Sequence, residues 1–382
     1  MSSQIQRTGT EDPWPGWGVY RGRTELEDLN ASPPELPEAP PWRRFSNGSG
    51  STSSTLVTPY GDDNRGATYQ ADRNAVEMVN AALCLRRPLL ITGKPGAGKS
   101  TLIYSVAREL RLGPVLRWNI TSRTTLRDGL YQYDALGRLH DYNMKQNRPI
   151  GHYINLGPLA TALLPSERPR ALLIDEIDKA DIDLPNDLLN IFEEGYFEIP
   201  EVAREQENNP GDNFVTSADG ARVSVPAGRI YCTAFPFVVL TSNGERDFPP
   251  PFLRRCLRLY LPPPDEKLLS RIVDAHLPLD PNDSASESSR IERQRMITDF
   301  VERARSGDLA TDQLLNAVFM TIGPAAVLDP GAADGPRGDQ ARRRLIDALL
   351  RHLTSDVAPD EVIEKAVAAM SNGGSGVNGP VS

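Results

Sequence analysis

The chain has 382 residues, 39% of them apolar, and 42 basic against 51 acidic side chains give a formal net charge of −9. That length and apolar content suffice to bury a core in about two domains, which excludes a fibrous or wholly disordered protein, and the acidic balance argues against nucleic acid as a partner. No apolar run approaches the roughly 18 to 20 residues that span a bilayer, and residues 1–10 lack a signal-peptide apolar region, so a cytoplasmic protein with no membrane partner is expected.

Residues 1–65 read as a proline- and tryptophan-rich leader, largely extended. It holds eight of the 33 prolines and three of the four tryptophans (Trp14, Trp17 and Trp42). Either residues 13–20 and 40–45 dock on the core, a neighbouring subunit or a partner, or the leader is a solvated tail. Helical spacing of apolar residues begins at Asp72 and ends before Pro88. Residues 88–92, 115–120, 171–174, 237–241 and 257–261 are short continuous apolar runs, as expected of strands in a parallel sheet covered on both faces. Beyond Leu261 the apolar spacing is helical, over 267–275, 291–304, 312–322, 342–353 and 359–370. These patterns predict an α/β domain over 66–264, a helical domain over 265–370, and a disordered tail over 371–382. Cys84, Cys232 and Cys256 form no CxxC pair and are expected to be small core residues rather than a disulfide framework or zinc site.

Four motifs carry chemistry. Gly93, Lys94, Pro95, Gly96, Ala97, Gly98, Lys99 and Ser100 spell GxxxxGK[ST] between a predicted strand and a helix that begins at Thr101. Glycines let successive backbone N–H groups converge on phosphate oxygens, Lys99 reaches the terminal phosphates, and Ser100 offers a hydroxyl to magnesium. Asp175 and Glu176 end the apolar run from Ala171, at the sheet edge where ligands collect. Asp175 suits the magnesium shell and Glu176 the polarisation of a water. Asp178, Asp181 and Asp183 are read as a solvated turn or subunit face. Asn243 ends the run from Phe237 and either orients a water or starts a turn before Gly244. Arg254 and Arg255 are either functional or a solvated basic pair.

Together, the phosphate loop, Asp-Glu strand, strand-tip Asn, downstream Arg and helical domain resemble the AAA+ ATPases, and within them the MoxR-like group, over about residues 72–353. The resemblance implies a P-loop NTPase fold with sheet order 5-1-4-3-2 and a helical lid. It makes Gly93 to Ser100 Walker A, Asp175 and Glu176 Walker B, and Asn243 sensor 1. The arginine finger falls at Arg255, with Arg254 as competitor, although Arg254, Arg255 and Cys256 stand where the group has Asp-Arg-Phe. Sensor 2 would be Arg303 or Arg305, with Arg305 reaching the nucleotide. Two interruptions, near 121–165 and 197–236, resemble the group's insertions. They would line a pore or form surface loops, and the second reads as a hairpin between residues 197–201 and 221–225.

The resemblance implies ATP and Mg2+ as cofactors, since the guanine-specifying Asn-Lys-x-Asp motif is absent. It also implies a homo-oligomeric ring, a hexamer, that remodels or chaperones a client protein. A nucleotide-gated scaffold or switch in a bacterial multi-component system, with a partner bearing a von Willebrand factor A domain, is the alternative. A DNA-acting ATPase is a more distant third.

Overall fold

Strands Leu89–Thr92 (β1), Leu116–Asn119 (β2), Ala171–Asp175 (β3), Phe237–Ser242 (β4) and Leu257–Tyr260 (β5) form one parallel sheet in the order β5-β1-β4-β3-β2. This is the α/β P-loop order that the resemblance implies. The computed structural model describes residues 18–23, 33–45, 64–146, 148–208, 213–279, 286–306, 309–322, 344 and 346–350. Trp14, Trp17, most of the predicted helices after 323 and the predicted tail lie outside the described residues.

Position in the sheet explains the strand sequences. Interior strands β3 and β4 are buried throughout and β1 nearly so, because helices cover both faces. Edge strand β2 alternates between buried and exposed side chains, so Leu116 and Trp118 face inward while Arg117 and Asn119 do not. Neighbouring strand residues point to opposite faces, and two cores result. Leu89, Ile91, Leu173 and Val239 pack with helices Arg73–Leu85 (α1) and Lys99–Leu110 (α2). Leu90, Leu172, Ile174, Val238 and Leu240 pack with Asp183–Glu194 (α3), Pro250–Arg255 (α4) and the insertions. Each fully buried aliphatic side chain contributes about 1.5–3 kcal/mol. Cys232 and Cys256 are buried free thiols, and burial pushes both up to about 12.

Both interruptions contribute to a second sheet, in which strands 131–133, 154–156, 214–216 and 222–224 lie in that order. The expected hairpin pairs differently. Phe197 lies opposite Ile230, in a pairing of Tyr196–Glu198 with Arg229–Tyr231, whereas Val223 lies opposite Val215. Asp219-Gly220 supplies the reason: this dipeptide favours a tight reversal, Gly220 has φ +83°, and Ser217 N–H donates to the Ala221 carbonyl at 2.8 Å. The turn at 217–220 therefore pairs the strands beside it, not 197–201 with 221–225.

Two segments of the leader run over the core. Tyr20 is 0% exposed, its hydroxyl 2.9 Å from Ser105 Oγ. Asn80 of α1 accepts from the Val19 and Tyr20 N–H groups and donates to the Tyr20 and Val76 carbonyls. Farther on, Arg43 donates to the Arg86 and Phe192 carbonyls and lies 4.7 Å from the centroid of Phe235, on which Phe45 stacks. Trp42 is 75% exposed.

The described residues fall into two compact units divided after Pro278. Helix Glu266–His276 (α5), which periodicity groups with the helical domain, belongs to the first, where His276 Nε2 lies 2.7 Å from Thr68 Oγ1. In the second, Ser286–Ser306 (α6) packs on Thr311–Ile322 (α7), and Met296, Ile297, Phe300, Leu314 and Val318 are buried. Among the described residues no helix is long and apolar enough to cross a membrane.

Candidate functional site

The carboxyl ends of β1, β3 and β4 bring three of the four motifs together. After β1 the chain turns through Gly93, Lys94, Pro95, Gly96 and Ala97 into α2, whose first turn carries Lys99, Ser100 and Thr101. A Cβ at Gly93 would sit 2.5 Å from the Leu261 carbonyl oxygen, so a side chain there would force the loop off the end of β5. Gly98 is the N-cap of α2 at φ +78°, a conformation that favours glycine, and no side chain caps this helix. Its first N–H groups and positive end therefore favour an anion.

Lys99 Nζ donates to the Gly93 carbonyl at 2.8 Å, the Lys94 carbonyl at 2.9 Å and Asn243 Oδ1 at 2.7 Å. Burial lowers its pKa, with Asp178, Asp175 and Glu176 opposing that shift. Asp175 is the hub of a second cluster. Its Oδ1 accepts from Ser100 Oγ and Thr241 Oγ1, each at 2.7 Å, and its Oδ2 from Arg117 at 2.7 Å. Burial alone would raise its pKa, but the donors Thr241, Ser100 and Arg117 outweigh burial and hold the carboxyl below its ordinary value.

Glu176 stands at φ +61°, ψ +50°, a left-handed conformation uncommon for a residue with a Cβ, held by its N–H donating to Thr241 Oγ1 at 2.9 Å. Its carboxylate accepts from Lys179 at 2.8 Å in a half-exposed pair. The arginines sit in the last turn of α4. Arg255 is ion-paired with Glu193 of α3 and donates to the Pro251 carbonyl, whereas the Arg254 side chain is exposed and unpartnered among the described residues. Arg303 and Arg305 lie in the last turn of α6, in the second unit, where Arg303 pairs with Asp299 and Asp347.

Asp178 departs from the solvated turn expected of it. It is 2% exposed, and its Oδ2 accepts from the Asn243 and Glu245 N–H groups at 2.8 and 3.1 Å. Asp181 and Asp183 are exposed, as expected. Thr241 and Arg117 also join the site unforeseen. Each left a trace in the sequence: Thr241 is a hydroxyl within the apolar run from Phe237, and Arg117 a charge within a short strand.

The donor chemistry fits a magnesium nucleotide. Ser100 Oγ and Asp175 Oδ1 are hard oxygens 2.7 Å apart, and among the described residues Lys99 donates to neutral acceptors that a phosphate can displace and no side chain caps the N-terminus of α2. A comparison of the whole chain with curated proteins found no match. Residues 88–256 match the family described as AAA domain (dynein-related subfamily). That segment spans the phosphate loop, the Asp-Glu strand, Asn243 and both arginines, and with the sheet order above it identifies an AAA+ P-loop domain in this chain.

Proposed function

We propose that this chain is a magnesium-dependent ATPase of the MoxR-like type that assembles into a ring, a hexamer, and remodels a client protein. The observation that carries the reading is the bond from Lys99 to Asn243: the phosphate-binding cation and the strand-tip amide share one point in space although 144 residues separate them.

When bound, the magnesium nucleotide supplies the phosphoryl electrophile and a divalent charge beside it. Lys99 exchanges its carbonyl and amide acceptors for phosphate oxygens, a charge-assisted pairing roughly twice as strong. Ser100 and Asp175 would hold the metal, with Thr241 and Arg117 keeping Asp175 ionised and aimed. Glu176 accepts a proton from the attacking water, and Asn243 orients that water without adding charge. Positioning and charge neutralisation do most of the work, so an arginine supplied by a neighbouring copy can raise the rate by about 10³ to 10⁵. The resemblance puts that arginine at Arg255, while the free guanidinium is Arg254. Turnover of assembled Arg254→Ala and Arg255→Ala, measured side by side, decides between them: the finger is the one whose loss abolishes turnover while nucleotide binding persists.

The test of the reading is phosphate release and particle mass measured together, in magnesium ATP and in magnesium ADP, over a range of protein concentration. The expected result is turnover that rises with assembly into a ring and is stimulated by the client. Nucleotide binding with slow turnover, indifferent to concentration and partner, would replace it with the switch reading. Absence of nucleotide binding would overturn both.

A further inference from the structure

Asp178 belongs to no assigned motif, yet it is the point at which the loop after β3 grips the tip of β4. It sits in the short turn Ile177–Lys179, three residues after Asp175. One of its oxygens, Oδ2, accepts from two backbone donors of the opposing loop, Asn243 N–H and Glu245 N–H. These donors flank Gly244, at φ +81°, where the chain turns sharply away from β4. With a conformationally free glycine between them, the two peptide groups need an external acceptor to fix their direction. The other oxygen, Oδ1, is buried and has no partner among the described residues. Leaving a buried carboxylate oxygen unpaired is costly, and the two bonds at Oδ2 are what the carboxylate gains in return.

The consequence reaches the chemistry through Asn243. Its backbone N–H is held by Asp178, and its side-chain Oδ1 accepts from Lys99 at 2.7 Å. We infer that Asp178 is a positioning residue, whose carboxylate clamps the 243–245 turn so that the Asn243 amide is held against the phosphate loop. It does not touch the reacting atoms. What the clamp requires is an acceptor oxygen at Oδ2, not a second charge beside Asp175 and Glu176, and this separates two substitutions. Asp178→Asn can retain one acceptor oxygen for both N–H groups. Asp178→Ala leaves both without one.

For its kinetic arm the inference rests on the ATPase reading; for its structural arm it does not. Backbone amide exchange of the full chain is followed by NMR, with steady-state phosphate release and ADP affinity measured for the wild type and both variants. In the wild type, the 243 and 245 amides should exchange as slowly as those of β4. In Asp178→Ala they should exchange at least about tenfold faster, with local opening replacing a fixed turn. Turnover in that variant should fall about 10- to 100-fold through misplacement of Asn243, while KM and ADP affinity stay within about threefold. Asp178→Asn should restore slow exchange and bring turnover back to within about threefold, a rescue that general destabilisation would not produce.

Fast exchange of both amides in the wild type overturns the clamp even if Asp178→Ala fails to fold. Wild-type turnover in Asp178→Ala overturns its role in positioning Asn243, and Asp178→Asn as slow as Asp178→Ala shows that charge matters and overturns the acceptor account. A wild type that releases no phosphate defeats the ATPase reading alone, and the exchange rates then decide the clamp.

Discussion

The docked leader segments and the nucleotide-facing edge both bury polar groups, and they satisfy them in different ways. Asn80 uses all four capacities of its amide, two as acceptor and two as donor, on backbone groups of its own chain. Arg43 likewise ends on two carbonyls, from residues 43 and 149 positions away. At the site, Lys99 shares its bonds between loop carbonyls and Asn243, Asp175 is met by hydroxyls and a guanidinium, and one Asp178 oxygen has no partner among the described residues. The first arrangement is closed and favours permanence. The second is held by side chains from separate elements, and a ligand of higher charge can take their place.

The difference is tested most severely at Lys99. Lys99→Ala should leave the melting temperature nearly unchanged yet weaken nucleotide binding by about 100-fold, the loss of about 3 kcal/mol in charged hydrogen bonds; titration calorimetry reads this directly. Asn80→Leu should do the opposite. Stranding the Val19 and Tyr20 N–H groups should cost about 2–3 kcal/mol in chemical unfolding, with nucleotide affinity within about threefold of the wild type.

Within the leader, Phe45→Ala should cost more than Trp42→Ala. Phe45 stacks on Phe235 at 5.5 Å, whereas Trp42 is exposed, and its removal should stay within about 0.5 kcal/mol. A large cost at Trp42 in the isolated protein would contradict the placement of that turn.

A small effect is also expected at Asp175. With a depressed native pKa, it contributes stability that is present above about 3.9, its unfolded value, and lost as pH falls through the native value. Arg117→Gln removes one cause of the depression, so the acid loss should still begin near the unfolded value but be smaller and end at a higher pH. The half-exposed guanidinium limits the change to under about 1 kcal/mol, and acid titration of unfolding free energy in both proteins checks it.

Much of the sheet was legible because burial on both faces demands continuous apolar runs, and the runs at 88–92, 171–174 and 237–241 have no other economical explanation. The phosphate loop was legible because glycine, lysine and serine at that spacing serve backbone geometry and charge together. The hairpin partner was not, since alternation in 197–201 and 221–225 is shared by any two half-buried strands; only Asp219-Gly220 distinguishes them. Asp178, Thr241 and Arg117 were obscured for a different reason. Their roles depend on register between β2, β3 and β4, and one strand's sequence says little about what its neighbour places beside it. Tyr20 was half legible: aromatic residues in a proline-rich leader suggest docking, but its receiver, Asn80, looks like an ordinary polar residue of α1.

The central claim, that this edge hydrolyses a nucleotide rather than merely holding it, rests most directly on Glu176. Phosphate release and ATP affinity measured on Glu176→Gln beside the wild type should show turnover reduced by about a hundredfold or more, within the range for loss of a general base, with affinity unchanged within about threefold. Equal phosphate release from the two proteins would contradict the assignment.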